Sequence, residues 1–138
     1  MSPLLSDRTR QIFSRSLPLF RARKHEVIDR MQTCLALAEP DRNATQSAIQ
    51  ATILVEMLVG QAGHLLRTGT YDDLGHIPAE HAELHITGRT YSQFGDFLVP
   101  ILKDVLGANV PSEASGPWID IFWSVIREAS AQRVLEPA

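Results

Sequence analysis

Apolar residues recur at spacings of three and four along most of this chain, and prolines and glycines cut the pattern into segments. Residues 4–17 form the first and weakest segment, with Ser6 and Asp7 as caps and Pro18 as its stop. Over residues 19–38 the pattern strengthens: Phe20, Val27, Ile28, Met31 and Leu35 share one stripe, opposed by Arg21, Arg23, Lys24, Glu26 and Arg30. Pro40-Asp41-Arg42-Asn43 breaks it, and Asn43 or Thr45 caps a third helix over about residues 44–67. Ile49, Ile53, Met57 and Gly60 lie on one side of that helix; Leu54, Leu58 and Leu65 widen the stripe, which predicts burial on two faces. Thr68-Gly69-Thr70 ends it. Pro78 suits the first turn of a short helix over residues 79–86, which Gly88 closes. Residues 91–106 are clearly amphipathic, with Phe94, Phe97, Leu98, Ile101, Leu102 and Val105 inward, a kink predicted near Asp96 from Pro100, and Gly107 as the stop. A last helix starts near Pro111 or Pro117 and carries Trp118, Ile121, Phe122, Val125 and Ala129 in register. No run alternates with period two long enough to make a strand. The prediction is an all-α domain of six to seven helices without internal repeats.

Length and composition agree with one domain spanning residues 1–138: 44% of the residues are apolar and 21% charged, enough for a packed core inside a polar surface. A net charge of −3 disfavours a phosphate-gripping surface, so no nucleic-acid partner is expected. Cys34 is the only cysteine, which removes disulfides and cysteine-based zinc sites; a buried, inert thiol is expected. The start Met1-Ser2-Pro3-Leu4-Leu5 does not read as a secretion signal, and the most apolar stretch, residues 48–60, is interrupted by Gln50 and Glu56. The expectation is a cytoplasmic domain with no membrane partner.

Candidate chemistry concentrates between Pro78 and Tyr91. His81 and His85 are four residues apart, so a helix places both rings on one face. Neutral imidazole is the commonest ligand of transition metals, and one histidine aimed into an apolar helical pocket is what haem iron needs as an axial ligand. An isolated pair of this kind is also common on solvated helices. Asp72-Asp73 and Glu80/Glu83 lack a nucleophile or second pair and read as solvated surface; His25 and His76 read as solvated, and His64 as a core-edge residue. The glycines form no phosphate-cradling loop.

The surroundings of His81 carry a longer pattern: Ile86, then Tyr91 ten residues after His81, Gly95 four further on, an apolar helix to Leu106-Gly107, a proline-containing break, and Trp118 opening the last helix. Over about residues 73–127 this resembles the globin family, particularly bacterial single-domain and flavohaemoglobin-like globins. The resemblance implies a three-on-three helical sandwich holding haem b, with His81 as the proximal metal ligand and Ile86 packed under the haem. Ile49, Ile53, Ile86, Tyr91 and Phe94 would line the pocket, and the second ring nitrogen of His81 would donate to a backbone carbonyl near Ile77. His85 is left with three roles: a neighbour of the haem propionates together with Arg89, a second metal ligand, or the axial ligand in a register shifted by one turn. A hydrogen bond to the gas ligand would come from Thr45, Gln46 or Gln50.

Two departures accompany the match. No aromatic residue occurs between Arg21 and Thr70, where globins place a phenylalanine against the porphyrin, and Phe122 stands where flavohaemoglobin-like enzymes use a polarising tyrosine in the last helix. The resemblance therefore implies binding of oxygen or another diatomic gas rather than enzymatic turnover, with a homodimer through the last two helices as the expected assembly. The alternative is a haem-free globin-like sensor or interaction module that signals through a helical dimer.

Overall fold

The computed structural model describes residues 6–107 and 115–135, all arranged as helices and connecting turns with no strand among them. Six helices follow one another: α1 (Asp7–Ala22), α2 (Lys24–Ala38), α3 (Ala44–Thr68), α4 (Ile77–Glu83), α5 (Gly88–Leu106) and α6 (Ser115–Leu135). Leu4, Leu5 and Pro111, named in the expected helix bounds, lie outside the described residues. Asn43 caps α3 by accepting the Gln46 N–H, and Ser6 caps α1 through the Thr9 N–H. Both are legible in the sequence as cap candidates.

Pro18 does not stop α1. The helix runs through it to Ala22 and breaks at Arg23, so Phe20 belongs to α1 and not to the second helix. Pro18 removes the donor that would reach the Ser14 carbonyl, but both residues are exposed, so water can take that acceptor. The same holds for Pro100 in α5, whose would-be acceptor residue Asp96 is exposed. Arg23 is tied in place by donating to the Val105 carbonyl at 2.7 Å, which joins the α1–α2 junction to the end of α5.

The core is continuous. α2 lies across α3 and α5, α6 packs on α5, α3 and α4, and α1 reaches α3, α5 and α6. Trp118 is the largest fully buried side chain; its ring meets Phe13 edge-on at 4.7 Å and Phe20 at 4.8 Å between centroids. Its indole N–H donates to the Ser16 hydroxyl at 2.9 Å, and that hydroxyl donates to the Ile12 carbonyl at 2.7 Å. A large aromatic is thereby buried without an orphaned donor. Trp123 is half-buried against Phe122 and over Gly95, where an added Cβ would lie 3.1 Å from the indole ring.

By length and mean hydropathy α3 would qualify as a membrane span, yet 56% of its most apolar window is buried within the bundle, as in the core helix of a globular domain. Its packed face is the side on which Leu54, Leu58 and Leu65 widen the expected stripe; the side of Ile49, Ile53, Met57 and Gly60 is not packed as expected. Ala51, Leu54, Val55, Leu58, Val59, Ala62 and Leu65 are buried. Ile53 and Met57 are only half-buried, Gly60 is exposed, and Ile49 is 41% exposed. That second apolar face looks toward α4, which rests mainly on α6 and barely touches α3.

Candidate functional site

The short helix α4 puts His81 at the centre of the site. Pro78 sits in its first turn, as the sequence predicts, but the helix occupies Ile77–Glu83 and Gly88 is the first residue of α5, not a closing glycine. The close of α4 comes at His85, the only non-glycine at positive φ among the described residues, with φ +61°. The His85 N–H bonds to the Ala82 carbonyl and the Ile86 N–H to the His81 carbonyl at 2.9 Å. These are the two reverse-turn bonds that end a helix on a left-handed residue, a place usually held by glycine. His85 therefore serves through its backbone, whose turn swings the chain into the Thr87/Thr90 capping box that opens α5.

His81 is only 2% exposed. Burial pushes its pKa below the ordinary histidine value, with Glu80 acting weakly in the opposite sense, so the ring is neutral near pH 7. Nδ1 lies 2.6 Å from the Tyr91 hydroxyl, and the two rings are tilted against each other with centroids 5.7 Å apart. The Ile77 carbonyl, expected as the ring's partner, does not take that part; the phenol of α5 does. Burial pushes the Tyr91 pKa up to about 12, so this partner is a neutral hydroxyl. Nε2 of His81 has no hydrogen-bond partner among the described residues and is the nitrogen left for a ligand.

His81 forms part of the wall of a cleft of about 310 Å³ between α3 and α4. Ile53, Met57 and Gly60 of α3 face Ile77 and His81 of α4, and Gly60 has nothing within 4 Å of an added Cβ. Glu56, Gln61, His64, Arg67, Asp72, His76 and Glu80 complete a polar rim. His64 enters this cleft because it continues the stripe one turn beyond Gly60. Its Nδ1 lies 2.7 Å from the Thr70 carbonyl, a contact only an N–H can make, which places the proton there.

The other residues singled out by the resemblance are not all brought together. Ile53, Ile77 and His81 share the cleft, and Tyr91 stands directly behind His81. Ile86 and Phe94 are buried in the core, with Phe94 stacked on Phe122 at 4.7 Å. Ile49 lines a separate cleft of about 440 Å³ with Thr45, Gln46, Leu84 and His85. Arg89 lines a third, polar one of about 280 Å³ with Gln46, Gln50 and His85, and is ion-paired with Glu39. Arg42 joins that cluster by donating to Gln93 at 3.0 Å, and Gln93 donates to Glu39 at 3.1 Å.

Gln50 ties α3 to the turn that follows α4. It is 1% exposed, and its Nε2 donates to the Leu84 and His85 carbonyls at 3.1 and 3.4 Å. Its Oε1 is the only fully buried side-chain polar atom without a partner among the described residues.

No family model matches the chain, and neither the curated proteins nor the solved structures contain a match to it. The geometry and chemistry of the site are what a functional reading has to stand on.

Proposed function

We propose that the protein is a haem-binding globin that takes a diatomic gas, with His81 as its axial ligand. The observation that carries this reading is a buried imidazole with a free Nε2, set across a cleft from the unpacked apolar face of Ile53, Met57 and Gly60. The helix neighbours support it too. A three-on-three sandwich needs α2 across α3 and α5, α5 against α6, and a short α4 standing off from α3 so that a slot remains.

The donor set fits haem rather than a bare ion. An isolated ion draws three or four protein ligands, and among the described residues no group of three His, Cys, Asp or Glu can hold one. Haem would be held through His81 and would supply an iron able to bind a diatomic gas. The chain's own residues do the rest. With Nε2 given to a metal, the imidazole proton sits on Nδ1 and the Tyr91 oxygen accepts it, which fixes both tautomer and ring orientation. Ile53, Met57 and Ile77 exclude water. Arg67 on the rim offers a cation to the carboxylates of the macrocycle, the part the resemblance gave to His85 and Arg89.

A haem-free sensor or interaction module of the same fold is the second reading, and one observation favours it: the Gln50 amide ties α3 directly to the Leu84 and His85 carbonyls just beyond His81. One experiment decides between the two. Hemin is titrated into the folded protein, and spectra are taken oxidised, reduced, and reduced with carbon monoxide. A Soret band that shifts with carbon monoxide and is lost or strongly altered in His81→Ala is the expected result. Absence of a Soret band in the unaltered protein overturns the haem reading, and indifference of folding to His81→Ala then leaves the module. A homodimer through α5 and α6 belongs to either reading and is measured by sedimentation.

A further inference from the structure

We propose that Gln50 is a latch that holds α3 against the α4–α5 turn, and that its release opens the His81 cleft along α3 to admit a planar ligand. The kind of ligand rests on the haem reading; the latch does not.

Among the described residues, the two bonds from Gln50 are the only hydrogen bonds joining α3 to α4 or to the turn that follows it. Both come from the one Gln50 amide, which has a proton for each of the two adjacent carbonyls, and the longer, at 3.4 Å, is weak. The closed arrangement is also costly. Gln50 Oε1 is buried without a donor, and His85, whose carbonyl receives the longer bond, is held in the left-handed region without being glycine. Two unfavourable features on the two sides of one contact describe a contact poised to break.

What the contact separates gives the release a purpose. Along α3, Gln46, Ile49 and Gln50 border the clefts at the α4–α5 turn, while Ile53, Met57 and Gly60 border the cleft that holds His81. Between these two sets of α3 residues lies Gln50, whose amide makes the described hydrogen bonds that tie α3 to the turn. Swinging the amide away lets Oε1 reach water and joins the spaces into one slot running past His81. The residues that pack the far side of α3, such as Leu54 and Leu58, are untouched by that motion.

The test uses the protein without hemin and then with it. Hydrogen exchange is followed at the amides of His85 and Ile86, which are protected by bonds to Ala82 and His81. Gln50→Leu keeps the size of the side chain and removes both its donor and its orphaned acceptor; Gln50→Ala is the second variant. Both should speed exchange at these amides about tenfold while leaving those of α1 and α6 unchanged. Leu54→Ala, one turn along and buried without any tie to the turn, should do the reverse and speed the slow core amides. In a chain that takes hemin, both Gln50 variants should also bind it faster than the unaltered protein. Unchanged exchange at His85 and Ile86 in both Gln50 variants overturns the latch. Faster exchange in a protein that refuses hemin upholds the latch and removes the haem reading, so the two failures are distinguishable.

Discussion

The α1–α6 contact and the α3–α4 cleft are built on opposite principles. At the first, Phe13, Phe20 and Trp118 are fully buried, and the indole N–H and the buried Ser16 hydroxyl are both satisfied by a chain of two hydrogen bonds running to the Ile12 carbonyl. At the second, apolar side chains are left half-covered, an amide oxygen is buried without a donor, and a histidine is kept neutral by burial. A left-handed histidine makes the turn beside it. The first region is consistent at every level and supplies stability. The second carries several local costs within one short stretch, the pattern expected where the fold gives up stability to present a site.

Breaking the consistent region should therefore be far more damaging than altering the costly one. Trp118→Ala removes the centre of the aromatic cluster and should cost about 3–5 kcal/mol, read from the midpoint of urea unfolding. Ser16→Ala leaves the buried indole N–H without an acceptor and should cost about 1–3 kcal/mol. Should both variants unfold at the same urea concentration as the unaltered protein, the contrast between the two regions is lost.

Much of the consistent region is written in the spacing of apolar residues. Phe20, Trp118 and Phe122 are predicted inward from periodicity alone and are buried. Ser16 is not foreseen, because a small polar residue on an apolar stripe shows its purpose only when its partner, 102 residues away, is in place. Pro18 misleads for a physical reason: a proline stops a helix when the acceptor it orphans is buried, and the burial of Ser14 cannot be read locally. At the cleft, His81 and Ile53 are legible and meet. The stripe of Ile49, Ile53, Met57 and Gly60 is legible as apolar, but not as the face left uncovered, since two apolar faces on one helix give no sign of which side its neighbours take. A tyrosine hydroxyl does reach the histidine ring, but from Tyr91 in α5 rather than from the last helix. His64 could have been found by carrying the stripe one turn further. Gln50 and His85 escape sequence reasoning because their roles belong to the backbone of a turn, which side-chain patterns do not describe.

If the costs at the cleft are real, relieving one should stabilise the protein. His85→Gly places at the α4 terminus the residue that adopts φ near +61° without a Cβ conflict, and should raise stability by about 1 kcal/mol. The same replacement at a right-handed position in α5, such as Ser92→Gly, should lower it by about 1 kcal/mol. A loss of stability in His85→Gly would mean that its imidazole makes contacts worth more than the backbone relief.

The effect most specific to the site is on pH dependence. Burial holds the pKa of His81 below its ordinary value of 6.5, so the folded chain takes up a proton there less readily than the unfolded chain does. As pH falls below about 6.5 the unfolded state binds the extra proton first, and stability declines until the folded-state pKa is reached, after which this group contributes no further slope. His81→Leu removes that group and should flatten the part of the acid limb it causes, leaving the carboxylate-driven fall at lower pH. Tyr91 acts at the other extreme with the same logic. Its pKa, raised from 10 to about 12 by burial, makes stability decline as pH climbs between those values, and Tyr91→Phe should remove that limb. The two limbs test one contact from both sides. Each comes from a group that burial keeps neutral, and the two groups are joined by one hydrogen bond. An acid limb unchanged by His81→Leu would show that His81 is wetter than its 2% exposure indicates, and the claim that the cleft is built around a dry, neutral imidazole would fall with it.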